Sequence, residues 1–544
     1  MMMRKQVPPE ASSSNNDGAD TPIAPNRINA KDVDAMLVKE MNQMSVKDRE
    51  DAYGEIHGIH ASNMSKQDEE KLPQALKQMQ CELDRLIQDE SSTSEAAAYR
   101  QALQQNSRYV VDETLRSKFV RAERYDAAKA AVRMIKWFDM GLNVFGPKAL
   151  MRPIEWADLS KSAKSIMDEG NGFMLRTRDP VGRIVNASIA GIGNRHPRSD
   201  PAQVYFFGMQ HISDDVDTQI LGTVMVKFIH RDSPKREDGH LEKITSSARR
   251  IFLCSPVRMS AFHLCLPDTL LAHALKASLI VAGSFQDRMR IRTHVGSVTE
   301  CLYALRSFGI PTKYFPSDLK RRARDYQKDR KRATEQLAAK EAILKQRQQE
   351  YEEKGQEGPY PFFAPDLILR PRHEDCLFGK GMPNMNHHGN VSMRKMLEQR
   401  WDRYDKAKYG EKMDIAWEVI FEIKRGQGRF LKEEASGLYT EVDDESAREK
   451  ISIAFRDIVR RIKRQKTQRG AVPGRKQQNV EPLAVAPQSG MGVNHLQQLP
   501  HHVYPQPSPM QFGNGTLDLT DGSHQHKRRK CGDANTFNYF CGGS

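Results

Sequence analysis

Cysteine is sparse and carries no pattern: Cys81, Cys254, Cys265, Cys301, Cys376, Cys531 and Cys541 are the full set in 544 residues. An odd, dispersed set without CxxC spacing argues against a disulfide framework or a zinc site and for a reducing compartment. Long hydrophobic runs are missing as well. No uninterrupted apolar stretch of about 18 residues occurs, so no transmembrane segment is expected. Met1 to Asp20 hold no apolar core of a secretory leader. Together these absences predict an intracellular protein, cytoplasmic with access to the nucleus. Motifs of catalysis are absent too: there is no GxSxG, HExxH, P-loop or GxGxxG opening a helix. The chain therefore reads as non-enzymatic, with no catalytic residues, no metal and no cofactor expected.

What is present is charge. Hydrophobic residues make up 38% against 28% charged, and mean hydropathy is -0.68, too polar for the whole length to be packed core. The net charge of +14 favours phosphate-bearing partners, nucleic acid or anionic lipid headgroups.

Along the chain, residues 1–108 read as mostly disordered, with 1–60 rich in Ser, Asn, Asp and Pro. One amphipathic helix is predicted from Lys66 to Gln88, on the spacing of Leu72, Leu76, Met79, Leu83 and Leu86. Residues 109–316 alternate helix and strand patterns. Ile184–Ala190, Val204–Met209, Gly222–Ile229, Met259–Leu266 and Met289–His294 read as strands. Helical patterns lie over Leu159–Asp168, Asp214–Leu221, Gly239–Phe252, Asp268–Val281 and Val298–Phe308, and Asp126 is placed to cap a helix. The alternation predicts an α/β lobe around a mixed sheet. Residues 317–371 read as a charged helix, a solvated spacer, followed by a Pro/Gly linker. Residues 372–465 form a second, small α+β module, and 466–544 a disordered basic tail.

Three stretches of the lobe carry a resemblance. The first is Phe119-Val120-Arg121-Ala122-Glu123-Arg124-Tyr125-Asp126, within Leu115–Ala130. The second is Asp179-Pro180-Val181-Gly182-Arg183-Ile184-Val185, a tight turn into a strand. The third runs from Ser255-Pro256-Val257-Arg258 through Ala261–Leu266 and Leu270–Val281 to Phe308-Gly309-Ile310-Pro311. In this order they resemble the signatures of the CRAL-TRIO lipid-binding family. Ser255 stands where the family has tyrosine, and no glycine occurs in Pro311–Leu319. The resemblance implies a non-catalytic cavity for a hydrophobic, lipid-like ligand, floored by a sheet and covered by a mobile helix. It further implies contact with a phosphoinositide or an anionic membrane surface. The wall would come from Val204, Phe206, Met225, Phe228, Phe262, Leu264 and Ile291, and the covering helix would bring Leu271, Leu275 and Leu279. His263 and His294 fall on adjacent predicted strands, as core histidines, with no third ligand placed for a metal.

In the small module, Asp375-Cys376-Leu377-Phe378-Gly379-Lys380-Gly381 leads to Asn386-His387-His388-Gly389-Asn390. Two amphipathic helices follow, then a hairpin around Ala435-Ser436-Gly437, then a helix striped by Ala447, Ile451, Phe455 and Ile458. This resembles a small microalgal domain of unknown function with a Gly-Lys-Gly, Asn-His-His-x-Gly-Asn and Gly-Arg-Phe-Leu pattern. Its loop, with Lys380, Asn386, His387, His388 and Asn390, and the cations Arg429 and Lys432 suit an anion or a partner. Two readings stand level: a nucleic-acid binder, or a protein-binding module whose cations only solvate it. Lys527-Arg528-Arg529-Lys530 is a cluster of nuclear-import type. The leading expectation is a lipid-binding or lipid-transfer protein recruited through its second module; the alternative is a nuclear regulatory or nucleic-acid-binding protein.

Overall fold

Short polar side chains open the helices. Ser45, Asp112, Asp126, Asp215 and Ser297 each accept a hydrogen bond from the N–H three residues on, satisfying a donor the helix cannot. The computed structural model describes residues 30–59, 69–88, 96–169, 172–175, 177–190, 200–229, 250–269, 272–273, 276, 289–315, 323–355, 359–379 and 381–470. All of them belong to one unit, Met1–Val472.

Two helices come first, α1 (Ala30–Gln43) and α2 (Val46–His57). The helices α3 (Leu72–Gln88), α4 (Ala97–Val110), α5 (Glu113–Ala122) and α6 (Ala127–Phe145) then share one core. Met79, Leu83, Tyr99, Phe119, Met134 and Phe138 meet in it.

After α7 (Lys161–Glu169) the chain builds a five-stranded sheet in the order β1-β2-β3-β4-β5. The strands are β1 (Gly172–Met174), β2 (Ile184–Ala190), β3 (Thr223–Ile229), β4 (Met259–Leu266) and β5 (Ile291–Val295). β2 to β5 run parallel, and β1 pairs antiparallel at the edge. Parallel pairing needs crossovers; α8 (Asp200–Ile212) and α9 (Val216–Leu221) make the one between β2 and β3. One sheet face is closed by α2 and by α10 (Val298–Arg306): Ile56, Cys301 and Leu305 pack on Val185, Val226, Phe228 and Ala261. Next comes α11 (Ala323–Lys354), a 32-residue helix.

The small module has three strands, β6 (Cys376–Leu377), β7 (Phe430–Glu433) and β8 (Tyr439–Glu441), with β7 central. Its helices are α12 (Met382–Met385), α13 (His388–Lys406), α14 (Tyr409–Arg425) and α15 (Asp444–Gly470). The hairpin of β7 and β8 and the three long helices match the expected order; β6, parallel to β7, is an addition. Leu397, Val419, Ile420, Phe430, Ile451 and Phe455 fill the core.

Several expectations need correcting. Residues 30–57 are helical, not disordered, and Ile56 is fully buried against the sheet. Val204–Met209 is helix α8, not a strand. A short apolar run cannot be told from a buried helix by periodicity alone, and this one packs inward, with Phe206 stacked on Trp137 at 3.8 Å. α11 is not a solvated spacer. Leu337 lies in the lobe's core, and Glu341 accepts from the Trp156 N–H at 2.8 Å. The expected linker also packs down: Phe362 is buried 5.2 Å from the Tyr109 ring. The predicted helix Gly239–Phe252 lies largely, and the covering helix with Leu271, Leu275 and Leu279 wholly in those three residues, outside the described residues. Among the described residues, no helix is long and apolar enough to cross a membrane.

Candidate functional site

Register decides which predicted wall residues belong together. Met225 pairs with Phe262, and Phe262 with Ile291, so the three share one sheet face, joined by Leu264 two residues on. Phe228 points to the opposite face, against Phe315 at 5.7 Å. Val204 and Phe206 leave the sheet with α8. Of the seven residues expected to line a wall, the structure brings four onto one sheet face. Its face is apolar: Leu264 and Leu266 are buried against Ala272, while Ile229, Phe262 and Val295 are only partly covered. His263 and His294 lie on the other face, with Nδ1 of His263 3.0 Å from Nε2 of His294. Burial pushes His263 down to about 3, and its Nε2 has no partner among the described residues.

A cavity of about 50 Å³ lies between α8, α11 and residues 152–155, lined by Phe207, His211, Asp214 and Lys340 among others. Ligand pockets run to about 300–1,000 Å³, so this one has the size for a water or two. None of the predicted wall residues borders it.

Two buried carboxylates organise the lobe, and neither was singled out by the sequence. Glu55, near the end of α2, meets Arg124 at 2.6 Å, Arg258 at 2.8 Å and Arg290 at 2.7 Å. Burial alone would raise its pKa; the guanidiniums of Arg258, Arg290 and Arg124 outweigh that and hold it below the usual range. Arg258, the residue of the Ser-Pro-Val-Arg string, also donates to the carbonyls of Ala122 and Ile220. Arg183, fixed by Asp179 at 2.7 Å, donates to the Glu55 and Ile56 carbonyls at the end of α2. Asp214 lies between Lys118, at 2.6 Å, and Lys340 of α11. Burial opposes its charge, but the two ammonium groups hold the carboxyl well below the usual range.

In the module the motif residues converge on one aspartate. Asp375 is fully buried and accepts from the Arg429 backbone at 2.9 Å and its guanidinium at 2.8 Å. A side chain at Gly389 would come within 2.2 Å of the Asp375 carbonyl, and one at Gly428 within 2.6 Å of the Glu374 carbonyl. Both glycines are needed for that close approach. Asn390 accepts from Leu377 N–H at 2.7 Å and donates to the Leu377 and Asn384 carbonyls at 2.9 and 2.8 Å. Of the expected anion loop, Asn390 and Arg429 use these hydrogen bonds to hold β6. His387 is buried, pushed by burial down to about 4 against the pull of Asp375, and its Nδ1 has no partner among the described residues. His388 is exposed and stacks on His373 at 3.6 Å. Asn386 is half-buried, Lys432 is exposed beside Glu434 at 3.6 Å, and Lys380 lies outside the described residues. Among the described residues, no group of three His, Cys, Asp or Glu side chains could hold a metal.

Several of the module's other cations are paired with its own acids. Arg400 meets Glu422 at 2.6 Å, Arg403 meets Glu418 at 2.7 Å, and Lys463 meets Asp405 at 2.9 Å. Each such pair cancels field that a nucleic acid would otherwise meet.

The family model described as Domain of unknown function (DUF6824) matches residues 375–457, beginning at Asp375 and running to the middle of α15. The small module is thus similar to that family over 83 residues. No curated protein matches the chain.

The clustering of the motif residues was legible as a pattern but not as a purpose. Glycine, asparagine and arginine at fixed offsets suit an anion loop and a backbone clamp equally, and only the contacts to Asp375 separate the two. Glu55 gave no signal beyond its place before the Gly58 helix end, where Gly58 takes φ 72°.

Proposed function

We propose that the chain is a non-catalytic binder of a hydrophobic, lipid-like molecule, held against the sheet face that carries Met225, Phe262, Leu264 and Ile291. The observation that carries this reading is the asymmetry of the sheet. One face is sealed by α2 and α10, whereas the other keeps Met225, Ile229, Phe262, Ile291 and Val295 only partly covered. Half-covered apolar strands are costly in water, at about 25 cal/mol per Å² exposed, and a ligand tail would complete their burial. Resemblance to the CRAL-TRIO signatures supports the same face, since the segment following β4 is where that family places its covering helix. The module of residues 372–465 serves as the recruitment element, and the pairing of Arg400, Arg403 and Lys463 with its own acids favours a protein partner over nucleic acid.

Native mass spectrometry of the full chain, with extraction and identification of what co-purifies, tests the reading. The expected result is a lipid bound one to one, displaced by a fluorescent fatty acid, and lost in Phe262→Asp with the far-ultraviolet spectrum unchanged. A full chain that purifies empty and takes up neither fatty acid nor phosphoinositide would overturn it.

A further inference from the structure

The outer side of α14 carries a row of which only Trp417 packs, in part, against the module's core. Ile415, Ala416, Val419, Ile420 and Ile423 point inward and are buried. Tyr409, Met413, Trp417, Phe421 and Arg425 recur at four-residue spacing on another side of the same helix. Tyr409 is 82% exposed and Phe421 62%, Arg425 is exposed, and Met413 and Trp417 are half-buried. The Trp417 and Phe421 rings stack at 5.9 Å. Arg425 makes no ion pair among the described residues, whereas its neighbour Lys424 is held by Asp444. Tyrosine, methionine, tryptophan, phenylalanine and arginine are the residue types enriched at protein interfaces.

Residues four apart form a ridge inclined to the helix axis, and two such ridges interdigitate in the commonest helix packing, at about −50°. This ridge spans about 24 Å. It is also complementary to itself. A two-fold axis through Trp417 sets Tyr409 opposite Arg425, and Met413 opposite Phe421, at both ends of the contact. Those pairings are a cation over an aromatic face and a thioether at an aromatic ring, both attractive, with Trp417 packing on its own copy at the centre. Such a contact is isologous, as a two-fold dimer requires. A parallel arrangement would instead bring Arg425 against Arg425, which repel.

We propose that the α14 ridge from Tyr409 to Arg425 is a homodimer interface, and that its occupant is the same ridge of a second copy of this chain.

Sedimentation equilibrium of the full chain over a hundredfold concentration range tests it. A reversible monomer–dimer equilibrium is expected. Phe421→Ser and Tyr409→Arg, both at exposed positions, should each weaken it by at least about tenfold, with thermal unfolding at low concentration unchanged. The exchange variant Tyr409→Arg with Arg425→Tyr restores the complementary pair and should recover the dimer. A chain that stays monomeric throughout overturns the proposal, as does a dimer indifferent to Phe421→Ser. If the monomeric chain instead sediments with phosphatidylcholine–phosphatidylserine vesicles, or captures an acidic amphipathic helical peptide, and Phe421→Ser abolishes this, the ridge belongs to that partner and the homodimer is refuted. Lipid content measured on the same Phe421→Ser protein keeps this outcome separate from the function of the lobe.

Discussion

The small module and the large lobe are held together in different ways. In the module, each helix turns one apolar stripe inward, and Leu397, Val419, Ile420, Ile451 and Phe455 close a core from local patterns. Apart from the pair of buried Asp375 with Arg429 that holds β6, its ion pairs, such as Arg403 with Glu418 and Lys463 with Asp405, decorate the outside. The lobe also has apolar cores, but it sets charges among them, and Glu55 and Asp214 join segments far apart in sequence. Glu55 draws in Arg124 and, across 235 residues, Arg290; Asp214 ties Lys118 to Lys340, across 96 and 126 residues. A pattern-built body tolerates loss of its surface ions. A body stitched by buried ions does not, because removing one partner strands the other in a low dielectric.

The largest expected effect follows directly. Glu55→Ala leaves three guanidiniums without their carboxylate and should lower stability by about 3–5 kcal/mol, read as the midpoint shift in urea unfolding. It should also release α2, whose buried residues are only Gly54, Glu55 and Ile56, so proteolysis between residues 46 and 58 should accelerate. A shift under about 1 kcal/mol, the scale of an exposed pair, would remove the contrast between the two regions.

In the module the sensitive positions are apolar. Phe455 is fully buried and stacks on Tyr404 at 4.1 Å. Phe455→Ala should cost about 3 kcal/mol through lost burial and the cavity left behind. The loss should appear as a lower urea midpoint and leave native-state proteolysis of α2 unchanged.

This contrast also explains what was legible in the sequence. The module's helices and hairpin follow from the 3.6 and 2 periods, and strands β2 and β4 span the residues their apolar runs predict, Ile184–Ala190 and Met259–Leu266. β1, with three residues, and β6, with two, are too short to show alternation. Helix α8 was misread because its apolar run is continuous, although Asp200-Pro201 at its start is a helix-opening signal. Helix α2 has one buried hydrophobic residue, Ile56, and thus no stripe; what anchors it is Glu55, whose partners lie too far along the chain for any local pattern to reveal. For the site, register alone separated Met225 and Ile291 from Phe228, and that required knowing which strands are neighbours.

Acid should divide the two regions next. Asp214 has its pKa depressed in the folded chain, after its burial is outweighed by Lys118 and Lys340. A depressed carboxylate contributes stability that is fully present above its unfolded pKa, near 3.9, and is lost as pH falls through the lower folded value. Asp214→Asn should therefore be less stable than wild type at neutral pH by about 2 kcal/mol. The gap should stay constant down to about pH 4 and close below it. A gap that persists unchanged into strong acid would mean that shape, not charge, is what Asp214 supplies.

The smallest effect is the sharpest discriminator, because it is where the module and lobe should differ most. Lys463 pairs with Asp405 at 2.9 Å, yet both side chains remain in water, 60% and 29% exposed. Holding two long side chains in one geometry costs entropy that offsets most of the attraction, so such pairs contribute about 0–1 kcal/mol. Lys463→Ala should shift the urea midpoint barely measurably, and added salt should erase the remainder, since exposed charges are screened within about 10 Å at 0.1 M. Glu55→Ala should keep most of its penalty in the same salt, because Glu55 itself and Arg258 are 4% and 9% exposed, out of reach of counterions. Equal salt sensitivity of the two variants would show that the Glu55 cluster is open to water, and the lobe would then be held by its apolar faces alone.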